Sequence, residues 1–186
     1  MSGLEIQVQP FLRGMAVNGA ITWLDDARKA TLAAWCVKTA MVYEFLNPQR
    51  IKYFTADERR HVMTYVQPPQ GVQIWVGLFV GPTRAHGAPF YKKTAGDFVA
   101  PSGYSFTFTA NQFLFQMLAY RDVLNAIPGA APRFDGVAAG SLIQVWPNAN
   151  PGIVENWPPQ AVEEYDIDQF DLRFWPPVRL IGPGVA

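Results

Sequence analysis

Cysteine and histidine are nearly missing from this chain. Among 186 residues there is one cysteine, Cys36. A lone thiol closes no internal disulfide, so a reducing compartment is natural and a cytoplasmic location is expected. It also excludes any zinc site built from several cysteines. The two histidines, His61 and His86, form no His-x-x-x-His pair, so a helix-borne two-histidine metal site is excluded as well. Neither a metal nor a cofactor is expected. Net charge is absent too, since 15 basic and 15 acidic residues cancel. Broad electrostatic capture of DNA or RNA therefore has no support; nucleic acid stays a possible partner only through local pairs such as Arg59-Arg60 or Lys92-Lys93. A membrane span needs about 20 consecutive apolar residues, and no run of that length occurs. No secretory signal core is found near Met1. The Gly-x-Ser-x-Gly elbow and the Gly-x-x-x-x-Gly-Lys phosphate loop are both missing.

What is present describes a globular chain. Hydrophobic residues make up 49% and aromatics 14%, with 16 prolines and 15 glycines. This is enough apolar material for one domain over residues 1–186, rich in loops and aromatic packing.

The organising stretch runs from Thr22 to Leu46. Leu32, Trp35, Cys36, Thr39, Val42, Tyr43 and Leu46 recur at spacings of three and four, which predicts one face of a helix. Ala30, Ala33, Ala34, Val37, Ala40 and Met41 lie beside that face, so the helix is expected to be buried on two sides. Thr22 followed by Asp25 resembles a capping box, and Asn47-Pro48 marks the end. Cys36 falls on the inner face and reads as an inert core thiol. Lys38 interrupts the pattern and has two readings. The stronger reading lays its stem over Trp35 while the amine reaches water; the sharper one buries the amine and pairs it with a carboxylate of another element.

A short helix is expected over Ser2 to Gly14, weakened by Pro10. Thr55 to Glu58 is a capping box with Phe54 as its staple. It opens a helix to about Gln67 with Val62, Tyr65 and Val66 inside and Glu58, Arg59 and Arg60 outside. Gly71 to Gly81 alternates as a central strand. Arg84 to Gly87 reads as a loop, and Phe90 to Val99 as a weaker strand. Tyr104, Phe106 and Phe108 alternate as a half-buried strand. Gln112 to Tyr120 fits helix or strand, and the strand is favoured as a continuation through Ala110-Asn111. A short helix from Arg121, a strand over Ser141 to Trp146, an irregular wrap held by Trp157 and a last helix from Asp166 to Trp175 complete the chain. Helices precede strands, so the expected fold is α+β, with N-terminal helices on an antiparallel sheet and a loop-rich C-terminal part.

No catalytic constellation emerges. His61 reads as a surface residue. His86, in its loop, has no acidic or cysteine partner nearby in sequence. The acidic run Glu163, Glu164, Asp166 and Asp168 could hold a hard cation, but a solvated run is the stronger reading. Trp75, Phe79, Tyr104, Phe106 and Phe108 could line a ligand pocket or stack bases; core packing is the stronger reading there.

Three stretches together resemble a family of uncharacterised bacterial and phage proteins, some described as HNH-endonuclease-like. They are Met1-Ser2-Gly3-Leu4-Glu5, Ala34-Trp35-Cys36-Val37-Lys38-Thr39-Ala40, and Pro68-Pro69 through Val76-Gly77. In that family a Cys-x-x-Cys-Asn segment and a Trp precede the Met-Ser-x-Leu-Glu run, and a helix with Trp-x-x-Lys-Thr follows. The resemblance covers most of the chain through short motifs. It implies the body of an HNH-associated protein without the Cys-containing head, and no nuclease residue carries over.

The expected function is thus a non-enzymatic module that binds another protein, in a phage or mobile-element setting that the resemblance alone implies. Trp157 and Trp175 are its expected interaction aromatics. One alternative is a nucleic-acid-associated accessory subunit or enzyme, in which Lys38, Arg59, Arg60, His61 and His86 would converge on one polar site. A second alternative is a small-ligand binder with an aromatic pocket.

Overall fold

A computed structural model describes residues 3–18, 22–46, 52–83, 85–90, 103–121 and 141–163. Helix α1 spans Gly3–Asn18. Leu4, Val8 and Met15 are buried along one side of it, at the spacing of a helical face. Pro10 lies inside the helix and is exposed, and it removes one N–H from the helical ladder. The helix is longer than the sequence pattern indicated because burial of that face outweighs the proline.

Strand β1 spans Thr22–Leu24, and helix α2 begins only at Asp26 and runs to Leu46. The expected capping box at Thr22 is therefore corrected. Asp25 caps instead, accepting the Arg28 backbone N–H at 2.8 Å, the N3 bond of a cap. Thr22 is drawn into a ribbon with β7, Glu155–Trp157, 135 places along the chain from Trp157. Leu32, Ala33, Ala34, Cys36, Val37, Ala40 and Met41 are all buried on α2. The small-residue side is the more fully buried one, while Val42 and Leu46, expected on the inner face, are exposed, because no described element covers that end of the helix.

Helix α3, Ala56–Tyr65, has the capping box the sequence announces. Thr55 Oγ1 accepts the Glu58 N–H at 3.2 Å, and Glu58 Oε2 accepts the Thr55 N–H at 2.7 Å. The helix stops at Val66, whose φ of 54° is left-handed. Its inner stripe is narrower than expected. Val62 is its one buried residue, while Tyr65 is 65% exposed.

The main sheet has the order β3-β4-β5-β2-β6, with β8 also paired to β2. Its strands are β2 (Val72–Val80), β3 (Ala85–Phe90), β4 (Gly103–Ala110), β5 (Phe113–Tyr120), β6 (Ile143–Trp146) and β8 (Val162–Glu163). All pairings are antiparallel except β2 with β8. Together with the N-terminal helices this is an α+β fold. Residues 85–87, expected as a loop, are strand, because β4 supplies the partner that Ala85, His86 and Gly87 need. Of Gln112 to Tyr120, Gln112 lies in the turn and Phe113–Tyr120 is strand, but it pairs back on β4 as a hairpin. Ala110 faces Phe113, and Asn111 takes a φ of 51°, a conformation asparagine tolerates. The tip is fixed by the Gln112 N–H donating to the Ala16 carbonyl at 2.9 Å.

Alternation along β2 divides the packing. Val72, Ile74, Val76 and Leu78 join the core with α2. Trp75 and Phe79 join a second cluster with Leu114, Leu118 and Val162. This is the period-two pattern of a strand buried on both faces. Gly71 takes a φ of 78°, and a Cβ there would meet the Tyr120 carbonyl, so only glycine fits. The expected strand over Phe90 to Val99 reaches the described residues only at Phe90. The helices from Arg121 and from Asp166 to Trp175, together with Glu164 to Asp168, lie outside them, except for Arg121 itself. No described helix is long and apolar enough to cross a membrane.

Candidate functional site

A polar cluster is built where α2, the 52–55 connector and α3 meet. Glu44 lies on the last turns of α2 and is 1% exposed. Its Oε1 accepts the Tyr53 backbone N–H at 2.9 Å. Its Oε2 accepts Arg59 Nη2 at 2.5 Å. Arg59 also donates to the Met41 carbonyl at 2.9 Å and the Phe54 carbonyl at 3.3 Å. Its guanidinium stands 4.5 Å from the Phe45 ring centroid, and Lys52 Nζ stands 4.1 Å from the same ring, both in cation–π range.

Arg121 closes the other side of the connector. It donates to Glu58 Oε1 at 2.6 Å and to the Tyr53 carbonyl, with its guanidinium 4.5 Å from the Tyr53 ring. Tyr53 stacks on Tyr104 at 5.9 Å. The Tyr104 hydroxyl is buried and makes no hydrogen bond.

Burial sets the electrostatics. Removal from water pushes the Glu44 carboxyl above its ordinary value, against the Tyr53 N–H and the Arg59 cation, which pull it down. Burial, with the Glu44 charge nearby, raises the Tyr104 phenol well above its usual range. The Tyr120 phenol is pushed up to about 12 by burial. Burial likewise raises the Cys36 thiol, which keeps it protonated and unreactive.

A second charged tether holds the loop after β6. Lys29 is 1% exposed and donates to the Ile153 carbonyl at 2.8 Å and Asn148 Oδ1 at 3.4 Å. Beside it, Asp26 accepts from Asn148 Nδ2 at 2.7 Å and from the Gly152 N–H at 2.9 Å.

The residues expected at a polar site do not share one set of partners. Lys38 pairs with Glu5 of α1, which replaces the favoured water-reaching reading with a carboxylate pair, though one that is half-buried and not deep. Arg59 points inward to Glu44, which corrects its expected outer position. Arg60 lies outside and pairs with Asp57 at 2.7 Å. His61 packs on Tyr65 at 5.0 Å between ring centroids. His86 sits on β3 opposite Thr107. Of the interaction aromatics, Trp157 is 1% exposed and lies 6.0 Å from the Phe113 ring. It is therefore a core residue and not a surface anchor. Trp175 lies outside the described residues. The aromatic set on the sheet is core: Trp75, Phe79, Tyr104 and Phe106 are buried, and Phe108 packs against the cluster that holds Tyr104 and Phe106. Among the described residues no group of His, Cys, Asp and Glu is arranged to hold a metal ion.

Sequence reasoning missed Lys29 and Glu44. Both occupy positions where a helix pattern permits an outward charge, and their partners lie in other elements. A weak signal existed for Glu44, since it follows Met41 and Ala40 at the spacing of the buried face. No family model matches the chain, and neither a curated protein nor a solved structure matches it.

Proposed function

We propose that this domain acts by binding another protein, through an apolar stripe at the C-terminal end of α2. One observation carries the reading. Val42, Phe45 and Leu46 share a helical face and are 51%, 58% and 74% exposed. Single exposed apolar residues are ordinary, but three on neighbouring turns with an aromatic at the centre suit a docking surface. Lys52 stands over Phe45 and gives the stripe a polar edge, as interfaces have. The reading draws only on the part of the HNH-like resemblance that needs no catalytic residue. Balanced charge over the whole chain fits a protein partner better than a nucleic acid.

The test is a pull-down from bacterial lysate with the tagged chain, with and without nuclease, beside a Phe45→Asp/Leu46→Asp variant. A protein recovered in both wild-type samples and lost with the variant supports the reading. Capture that needs intact nucleic acid favours the accessory-subunit alternative. A monomeric wild type that captures nothing counts against docking.

A further inference from the structure

Helix α3 is weakly held by apolar contact, since Val62 is its one buried residue. A ten-residue helix has little stability of its own. Ion pairs help to seat it: Arg121 engages Glu58, and the groups that receive Arg59 belong to other elements. They are the Glu44 carboxylate, the Met41 carbonyl and the Phe45 ring on α2, and the Phe54 carbonyl in the connector. A buried carboxylate, two carbonyls and an aromatic face are the set that a planar cation takes. The Tyr53 N–H holds Glu44 from the opposite side, so the acceptor keeps its place without Arg59. The Arg59 side chain is 20% exposed, so the recess opens to the surface.

We infer that this recess is a guanidinium-binding site filled in cis by Arg59, and that a guanidinium from another molecule exchanges with it. The natural ligand class is an arginine side chain presented by a protein. An ammonium is a poorer fit, because a point charge does not donate in one plane to both Glu44 and Met41. The neighbouring cation Arg60 does not compete, being turned outward to Asp57. Arg121 does not compete either, being engaged by Glu58 and the Tyr53 carbonyl. A small guanidinium tests the inference without any partner, so its outcome is separate from that of the docking stripe.

The experiment is thermal denaturation of the full chain carrying Arg59→Ala, titrated with methylguanidinium chloride. Equimolar methylammonium chloride and the Glu44→Gln/Arg59→Ala variant are the comparisons. The midpoint temperature of Arg59→Ala should rise saturably, with half-effect on the order of 10 mM for so small a ligand. Neither comparison should show that rise. An equal response in both variants, or an equal response to methylammonium, overturns the site. If Arg59→Ala does not fold, amide exchange of the wild type decides. Methylguanidinium should speed exchange in α3 several-fold and leave β2 and β5 unchanged, and Glu44→Gln should abolish the effect. Uniform acceleration, or none, overturns the site.

Discussion

Removing Glu44 should be among the costliest single changes in the described part of this protein. In Glu44→Ala, Arg59 keeps the Met41 and Phe54 carbonyls but loses its counter-charge. Breaking a buried ion pair from one side costs about 3–5 kcal/mol when the remaining charge is fully buried. Arg59 is 20% exposed, so water relieves part of that and the pair term falls to about 2 kcal/mol. The Tyr53 N–H is also left without its acceptor, which adds about 1 kcal/mol. The expected loss is about 3 kcal/mol. Arg59→Met should cost a similar amount at neutral pH, but with a pH dependence. The Glu44 carboxyl is already raised by burial against the opposing pull of Arg59, and losing the cation raises it further. A raised folded-state pKa favours the folded form as pH falls, so that stabilisation fades as pH rises through the folded value. The deficit of Arg59→Met should therefore shrink toward the ordinary carboxyl range and grow above it. The double variant Glu44→Ala/Arg59→Met removes both charges and should cost less than the two single changes summed. Urea unfolding followed by circular dichroism and tryptophan fluorescence gives all four corners of the cycle. A loss below about 1 kcal/mol for Glu44→Ala, or strict additivity, would refute the reasoning.

Three further outcomes follow from single positions. Tyr104→Phe removes a buried hydroxyl with no partner, so it should leave stability unchanged or raise it by up to about 1 kcal/mol; a clear loss in urea unfolding means the hydroxyl is satisfied. Thr55→Ala removes the α3 cap and should cost about 1 kcal/mol, seen first as faster amide exchange in the opening turn of α3. Cys36, buried with its thiol pushed up, should resist a thiol-specific disulfide reagent in the native state and react on unfolding; prompt native labelling would show that the helix face is open.

Local chemistry determined much of this fold. The capping box at Thr55 and Glu58 needs only four consecutive residues, so it was legible. The alternation of β2 and the small-residue side of α2 are likewise written at short period, though Val42 and Leu46 came out exposed, and the order of helices before strands implied α+β. Tertiary structure decided what those patterns leave free. Thr22 became strand because Trp157 lies opposite it, and His86 became strand because Thr107 does. Trp157 went inside because Phe113 offers it a ring to pack on. The charged residues of the candidate site were the least legible. Whether Glu44, Lys29 or Arg59 turns inward depends on acceptors and donors brought near by other elements. Glu44 meets Arg59 of α3, Arg59 meets Phe54, and Lys29 meets Ile153 far along the chain. A charge is buried only where such a partner offsets its loss of water, and no periodicity along the chain records where that partner will stand.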